Sequence, residues 1–292
     1  MKTFKVLISF ILTCVCLYSI NHYSLNSYSN KALKIKNKSF WINKVHFQGN
    51  KDILIFGDSR TYRGINPEVD PLKRNNINLG FSSAGLSPNY IETSLKRNNS
   101  EETILLLGIT AHSFSKVAFQ NSHWNEFRKV GRFDIFLDSN ENYLKGFTPF
   151  LSNQHKPQKD SNYIEKYNLK TGFVWSDKKT HNIESGLKIY KDIFRENKFS
   201  YKLLKETVSY LNTLKNRKIY AFIIPTNSKM ITIEKEIAQF DEVLVKTILR
   251  KSSINVIEIP ESLKSKLITY DGSHLTGRSA NILSEFIFSK IK

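Results

Sequence analysis

The chain has 292 residues, 40% hydrophobic and 12% aromatic, enough to bury one sizeable core and too apolar for a disordered tail. Its 44 Lys and Arg against 26 Asp and Glu leave a net charge of +18. The excess is spread along the chain, and no Arg-rich helix, zinc-ligand spacing or other nucleic-acid motif accompanies it, so the charge reads as a solvated basic surface facing anionic lipid or a polyanionic polymer, not nucleic acid.

The first expected element is at the N-terminus. Lys2 and Lys5 precede Val6 to Ile20, a fifteen-residue apolar run, and the next Lys or Arg is Lys31. A hydrocarbon core takes roughly 20 residues of helix, so this run spans it only by adding uncharged neighbours such as Asn21 to Tyr23. No small-x-small cleavage site follows directly, and Thr13 before Cys14 makes a poor lipoprotein signal. An uncleaved anchor is therefore expected over residues 1–21, with a cleaved signal segment and secretion as the alternative. The positive-inside preference keeps Lys2 and Lys5 in the cytoplasm and places the remainder outside it. Both cysteines, Cys14 and Cys16, fall inside the run, so the exported part has no thiol. Disulfide staples, a thiol nucleophile and cysteine metal sites are thereby excluded, and the chemistry must use oxygen and nitrogen. No cofactor or metal is expected.

Residues 22–49, which begin as an Asn/Ser/Lys-rich stretch, read as a polar juxtamembrane tether, and one domain is expected over 50–292. Short apolar runs there alternate with helical patterns. The runs are DILIF (52–56), NINL (76–79), TILLLG (103–108), KIYAFII (218–224) and INVIEI (254–259), each of the length and composition of a strand covered on both faces. Helices are expected over Asn89 to Lys96, Tyr201 to Lys215, Ile233 to Lys251 and Arg278 to Ile291; in the second, Tyr201, Leu204, Val208 and Leu211 form one apolar stripe. Strand followed by helix, repeated, predicts an α/β fold with a parallel sheet of about five strands. Residues 112–200 break the rhythm and hold 16 of the chain's 36 aromatic residues, Trp124 and Trp175 among them. That length calls for an insertion with structure of its own, either a lid over the functional end of the sheet or a segment whose rings pack their own small core.

In parallel α/β sheets the ligand crevice lies beyond the carboxyl ends of the strands. The stretch FGDSRTYRGINP (56–67) follows the first strand, so Gly57, Asp58 and Ser59 fall there. Glycine permits a tight exit, and a serine on such a turn can present its hydroxyl and its N–H to one reacting carbonyl. Serine needs a base for its proton, and the base needs a group that fixes its tautomer. YDGSHLTGRSANILSEF (270–286) offers Asp271 and His274, three apart on a loop, with Thr276 as the N-cap of the last helix. The alternative for His274 is an exposed loop histidine.

IFGDSR (55–60) and DGSHLT (271–276) resemble the first and last motif blocks of the SGNH/GDSL hydrolase superfamily, in particular its membrane-anchored bacterial envelope branch of DltD-like and alginate O-acetyltransferase-like proteins. The resemblance covers about Asn50 to Lys292 without the insertion. It implies a flavodoxin-like three-layer α/β/α fold, with Ser59 as nucleophile, His274 as general base and Asp271 as its orienting partner. The middle blocks depart from the family pattern. In NLGFSSAGLSP (78–88) the position of the glycine that normally helps the oxyanion hole holds Ser83, with Gly85 two residues on. In LLGITAHSF (106–114) Thr110 and Ala111 stand where the family has Asn and Asp, so the usual Asn donor is missing. Ser83, Gly85 and Thr110 are the oxyanion candidates. Losing one donor costs about 3 kcal/mol unless Thr110, Ser113 or an insertion group replaces it.

Two functions are then expected. The first is an extracytoplasmic serine esterase or O-acyltransferase acting on an ester-linked acyl group, acetyl in the expected case, of an envelope polysaccharide or related polymer. The second is a DltD-like accessory protein that binds a polymer or a membrane acyltransferase without hydrolysis.

Overall fold

The computed structural model describes residues 8–13, 15, 16, 19, 37–47, 49–98, 100, 102–120, 123–130, 165–176, 183–214 and 216–292. The chain divides into two compact units, Met1–Ser39 with Lys129–Pro157 and Phe40–Arg128 with Gln158–Lys292. In the first unit residues 8–13 are helical, and most of the segment expected as an anchor lies outside the described residues. Among the described residues no helix is long and apolar enough to cross a membrane.

The second unit is built on a parallel sheet of β1 (Ile53–Phe56), β2 (Asn76–Asn78), β3 (Ile104–Ile109), β6 (Ile219–Ile223) and β7 (Ile254–Val256), in the order β2-β1-β3-β6-β7. Counting sheet strands alone this is 2-1-3-4-5, the flavodoxin-like order, with the topological switch between β1 and β3. Their register pairs Ile55 with Leu106 and Leu107 with Ala221, so the apolar runs stack across the sheet. Side chains alternate between its faces. Ile53, Ile55, Leu106, Tyr220 and Phe222 pack against Leu283, Ile287 and Phe288 of the last helix, α11 (Gly277–Lys290). Phe56 points to the other face and meets Tyr90 of α3 (Pro88–Leu95) edge-on at 5.3 Å. There α3 packs on α7 (Tyr201–Thr213), whose expected stripe buries Leu204, Val208 and Leu211. The result is the expected three-layer α/β/α architecture, with Ser59 at the start of α2 (Ser59–Gly64), directly beyond β1.

The chain departs from the sequence expectation in particular places. Residues 38–45, expected as tether, form α1 (Lys38–Val45), which buries Phe40, Trp41 and Ile42. Its Lys44 is also buried: Nζ donates to the Gly80 carbonyl at 2.6 Å and lies 4.6 to 5.6 Å from the rings of Phe40, Trp41, Tyr62 and Phe81. Desolvation, with Arg63 nearby, lowers its pKa well below that of a free lysine. The long helix expected over Ile233 to Lys251 is two, α8 (Ser228–Glu236) and α9 (Glu242–Arg250). Gln239 turns the chain at φ 61°, and the Asp241 carboxylate accepts the N–H groups of Val243 and Leu244, starting a new helix where periodicity alone suggested continuity.

The insertion contributes α4 (Lys116–Gln120), α5 (His123–Phe127), an antiparallel pair β4 (Glu165–Tyr167) and β5 (Val174–Ser176), and α6 (Ile183–Glu196); residues 131–164 and 177–182 lie outside the described residues. Trp124 packs on Tyr90 at 4.9 Å, and Phe127 lies 6.2 Å from Phe81, so they extend the core of the sheet domain. A short helix, α10 (Glu261–Lys264), follows β7.

Candidate active site

Gly57 explains how a helix can begin one residue after a buried strand and its turn. A Cβ there would stand 1.9 Å from Thr61 Oγ1 and 2.8 Å from the Gly108 carbonyl, and Gly57 φ is 154°. Gly108, across the sheet on β3, would meet the same hydroxyl at 2.5 Å. The two glycines thus leave the hollow in which Thr61 seats the first turn of α2. Asp58 caps that turn: its carboxylate accepts the Arg60 N–H at 2.9 Å, and its carbonyl accepts those of Thr61 and Tyr62. Ser59 is consequently the first helical residue, held at the carboxyl end of the sheet.

The loop after α10 comes to meet it. Tyr270 N–H donates to the His274 carbonyl at 3.0 Å, and Thr269 bridges Leu275, which closes the segment into a tight hairpin. Gly272 takes the left-handed conformation, φ 83°, that this reversal demands. The insertion supports the loop from outside: a Cβ at Gly186 of α6 would come within 2.3 Å of the Asp271 carbonyl, so only glycine permits that approach. Thr276 is the N-cap of α11, accepting the Ser279 N–H, as its place in the sequence suggests.

These elements bring together three of the residues singled out in the sequence. His274 Nε2 stands 2.9 Å from Ser59 Oγ, and His274 Nδ1 stands 2.7 Å from Asp271 Oδ2. The other carboxylate oxygen, Oδ1, accepts the N–H groups of Ser273 at 2.9 Å and His274 at 2.7 Å. Burial alone would raise the Asp271 pKa, but the ring and these two amides outweigh it and hold the carboxyl well below the usual range. For His274 burial wins, helped by the charges of Arg63 and Arg60. Its pKa is lowered despite the attraction of Asp271, which leaves the imidazole neutral at neutral pH. Asp271 fixes Nδ1 as the protonated nitrogen and Nε2 as the acceptor facing Ser59. Tyr270 stacks on the His274 ring at 5.6 Å and 14°, and Tyr190 of α6 approaches it at 6.3 Å.

The three oxyanion candidates fall differently. Gly85 donates its N–H to the Ala118 carbonyl at 3.0 Å. Thr110 is buried, with its hydroxyl donated to Asp58 Oδ2 and its N–H to Ser113 Oγ at 3.0 Å. Both are therefore committed within the protein, and Thr110 instead braces the cap of α2. Ser83 is exposed on the loop after β2, in the left-handed region at φ 55°.

Other polar residues of the site were not singled out in the sequence. Arg60 is buried, with Nε donating to Ser273 Oγ at 2.7 Å and Nη1 to Glu234 Oε1. Its guanidinium carbon lies 5.4 Å from the Tyr190 ring centre. Burial raises the Glu234 carboxyl, opposed by Arg60, and burial pushes the Tyr190 phenol up to about 12. His112, on the turn after β3, keeps its Nε2 buried without a hydrogen-bond partner, a state that costs about 1–3 kcal/mol. Sequence spacing cannot reveal such pairings: Arg60 and Glu234 are 174 residues apart. Among the described residues no cluster of His, Cys, Asp and Glu could hold a metal. Compared with protein-family models, curated proteins and solved structures, the chain matches none, so its likeness to the SGNH/GDSL superfamily rests on its own motifs.

Proposed function

We propose that the protein is an SGNH-type serine esterase or O-acyltransferase, anchored by its N-terminal segment and acting outside the cytoplasm. Its substrate in this reading is an ester-linked acyl group, acetyl by expectation, on an envelope polysaccharide or related polymer. The observation that carries the chemistry is the unbroken relay from Ser59 Oγ through His274 to Asp271, at 2.9 and 2.7 Å. Ser59 attacks the ester carbonyl as its proton passes to His274 Nε2, and Asp271 stabilises the imidazolium so formed. The leaving sugar oxygen takes that proton, which leaves an acyl-Ser59 ester. Water or an acceptor hydroxyl, deprotonated by the same Nε2, then releases the acyl group and regenerates Ser59. Asp58 takes up the N–H groups of Arg60, Thr61 and Tyr62, so the Ser59 N–H is the amide of this turn that the reading assigns to the oxyanion.

The substrate and location rest on sequence: the apolar N-terminal run, its Lys2 and Lys5 flank, and the basic surface that would draw a polyanionic polymer to the protein. A second reading is favoured by a specific observation. Gly85 and Thr110 are committed to other partners, which thins the oxyanion hole and suits an accessory protein that binds a polymer or a membrane acyltransferase without turnover. Intact-mass analysis after treatment with a serine-directed fluorophosphonate separates the two. A single adduct that maps to Ser59 and disappears in Ser59→Ala supports the enzyme. An unlabelled wild-type protein supports the accessory role.

A further inference from the structure

Arg60 follows Ser59 directly, yet its side chain runs back into the protein and is only 3% exposed. It touches three elements beyond its own helix. Nε donates to Ser273 Oγ at 2.7 Å, in the loop between Asp271 and His274; Nη1 pairs with Glu234 of α8; and the guanidinium faces the ring of Tyr190 on α6. Ser273 in turn donates its N–H to Asp271 Oδ1 at 2.9 Å. The nucleophile and its base come from chain segments 215 residues apart. The Ser59–His274 bond itself is one weak tie between them, and it must break and re-form in any turnover. A buried ion pair such as Arg60–Glu234 contributes little net stability, because desolvating both charges offsets their attraction. What it supplies is fixed geometry: a planar guanidinium with two of its edges occupied has one orientation.

We propose that Arg60 is a positioning residue, whose fork ties the Asp271–His274 loop to the helix that starts at Ser59 and so keeps His274 Nε2 in register with Ser59 Oγ. Its catalytic consequence rests on the esterase or acyltransferase reading; the tie itself does not. A second effect follows from its charge. The groups facing His274 are Asp271 in its own loop, Ser59, Arg60 and Arg63 from α2, Tyr190 from α6, and Tyr270 before the loop. Only Asp271 among these favours the imidazolium strongly; Arg60 and Arg63 oppose it. Burial is the main cause that keeps the base unprotonated, and the charge of Arg60 adds to it.

The test uses the full-length protein and two variants. Ser273→Ala removes the tie to the loop and leaves Arg60 paired with Glu234. Arg60→Gln combined with Glu234→Gln removes the whole ion pair without stranding a buried charge. For each, the rate of fluorophosphonate labelling at Ser59 is followed against pH, the His274 imidazole is titrated by NMR, and the urea midpoint is recorded. Ser273→Ala is expected to label about tenfold or more slowly at the pH plateau, the scale of a reacting atom misplaced by a fraction of an ångström. Its His274 titration stays in place. The double variant is expected to show that loss together with an upward move of the His274 midpoint. Labelling within twofold of wild type in both proteins would overturn the proposal, as would a rate loss in the double variant with the His274 midpoint unmoved. If the double variant does not fold, Ser273→Ala decides alone. If wild type is never labelled, the esterase reading fails, and the NMR midpoint still decides whether Arg60 acts on His274.

Discussion

Asp271→Asn tests the relay at its most informative atom. The carboxylate accepts three N–H groups: Ser273 N–H and His274 N–H on Oδ1, and His274 Nδ1–H on Oδ2. An asparagine of the same shape can keep its carbonyl oxygen on the two backbone donors, because turning the amide over would set its NH2 against both. The amide nitrogen then faces Nδ1, which must become an acceptor. The ring takes the other tautomer and presents Nε2–H, not a lone pair, to Ser59 Oγ, 2.9 Å away. Two magnitudes compete. If Asp271 only strengthens a hydrogen bond, its loss is worth about 1.5–3 kcal/mol, or one to two decades in rate. If it sets the tautomer, the loss is about four decades, roughly 5.4 kcal/mol. The assay is the second-order rate of fluorophosphonate labelling at Ser59 near neutral pH, with circular dichroism and a urea midpoint to show that the fold is intact. A variant that retains more than about one-hundredth of the wild-type rate would refute the assignment of Asp271 as the orienting partner.

Because burial lowers His274 from its ordinary value near 6.5, labelling should fall with decreasing pH along a one-proton curve whose midpoint lies below 6.5; a midpoint above it would contradict the burial argument. The same shift has a sign for stability: between the folded midpoint and 6.5 the unfolded chain binds the proton the native one refuses, so this group makes stability rise with pH, readable in urea midpoints. Gly57→Ala places a Cβ 1.9 Å from Thr61 Oγ1 and should cost about 3 kcal/mol or more in urea unfolding, against less than 1 if the α2 turn can shift freely. Lys44→Met should leave stability within about 1.5 kcal/mol, since a flexible thioether can fill the ring cage without a buried charge, whereas Lys44→Ala should cost about 3 through the cavity it leaves. A reporter active only outside the cytoplasm, fused after Lys292, should be active; an inactive fusion there with an active cytoplasmic reporter would overturn the proposed topology.

The sheet was legible in the sequence because a strand buried on both faces must be apolar throughout, and ILIF, ILLLGI and IYAFI have the length and composition of such strands. Ser59, Asp271 and His274 stood out because each lies in a short segment with its own turn chemistry: glycine at 57, glycine at 272, a threonine cap at 276. Local chemistry also betrays itself only locally. Whether Gly85 and Thr110 still offer a donor depends on the Ala118 carbonyl and the Asp58 carboxylate, which reach them only once the strands are paired. The split after α8 turned on one left-handed residue, Gln239, whose conformation no periodicity encodes. The ring-lined burial of Lys44 in a polar-looking stretch, and the pairing of Arg60 with Glu234 and Ser273, join groups brought close by the winding of the sheet. Sequence thus determined which segments are strands, where the chain leaves them, and which residue types could pass a proton. Tertiary structure decided which donors remain free and what holds the base against its serine, because those depend on partners at long range, and a hydrogen bond of a few ångströms carries no trace in the spacing of the residues that make it.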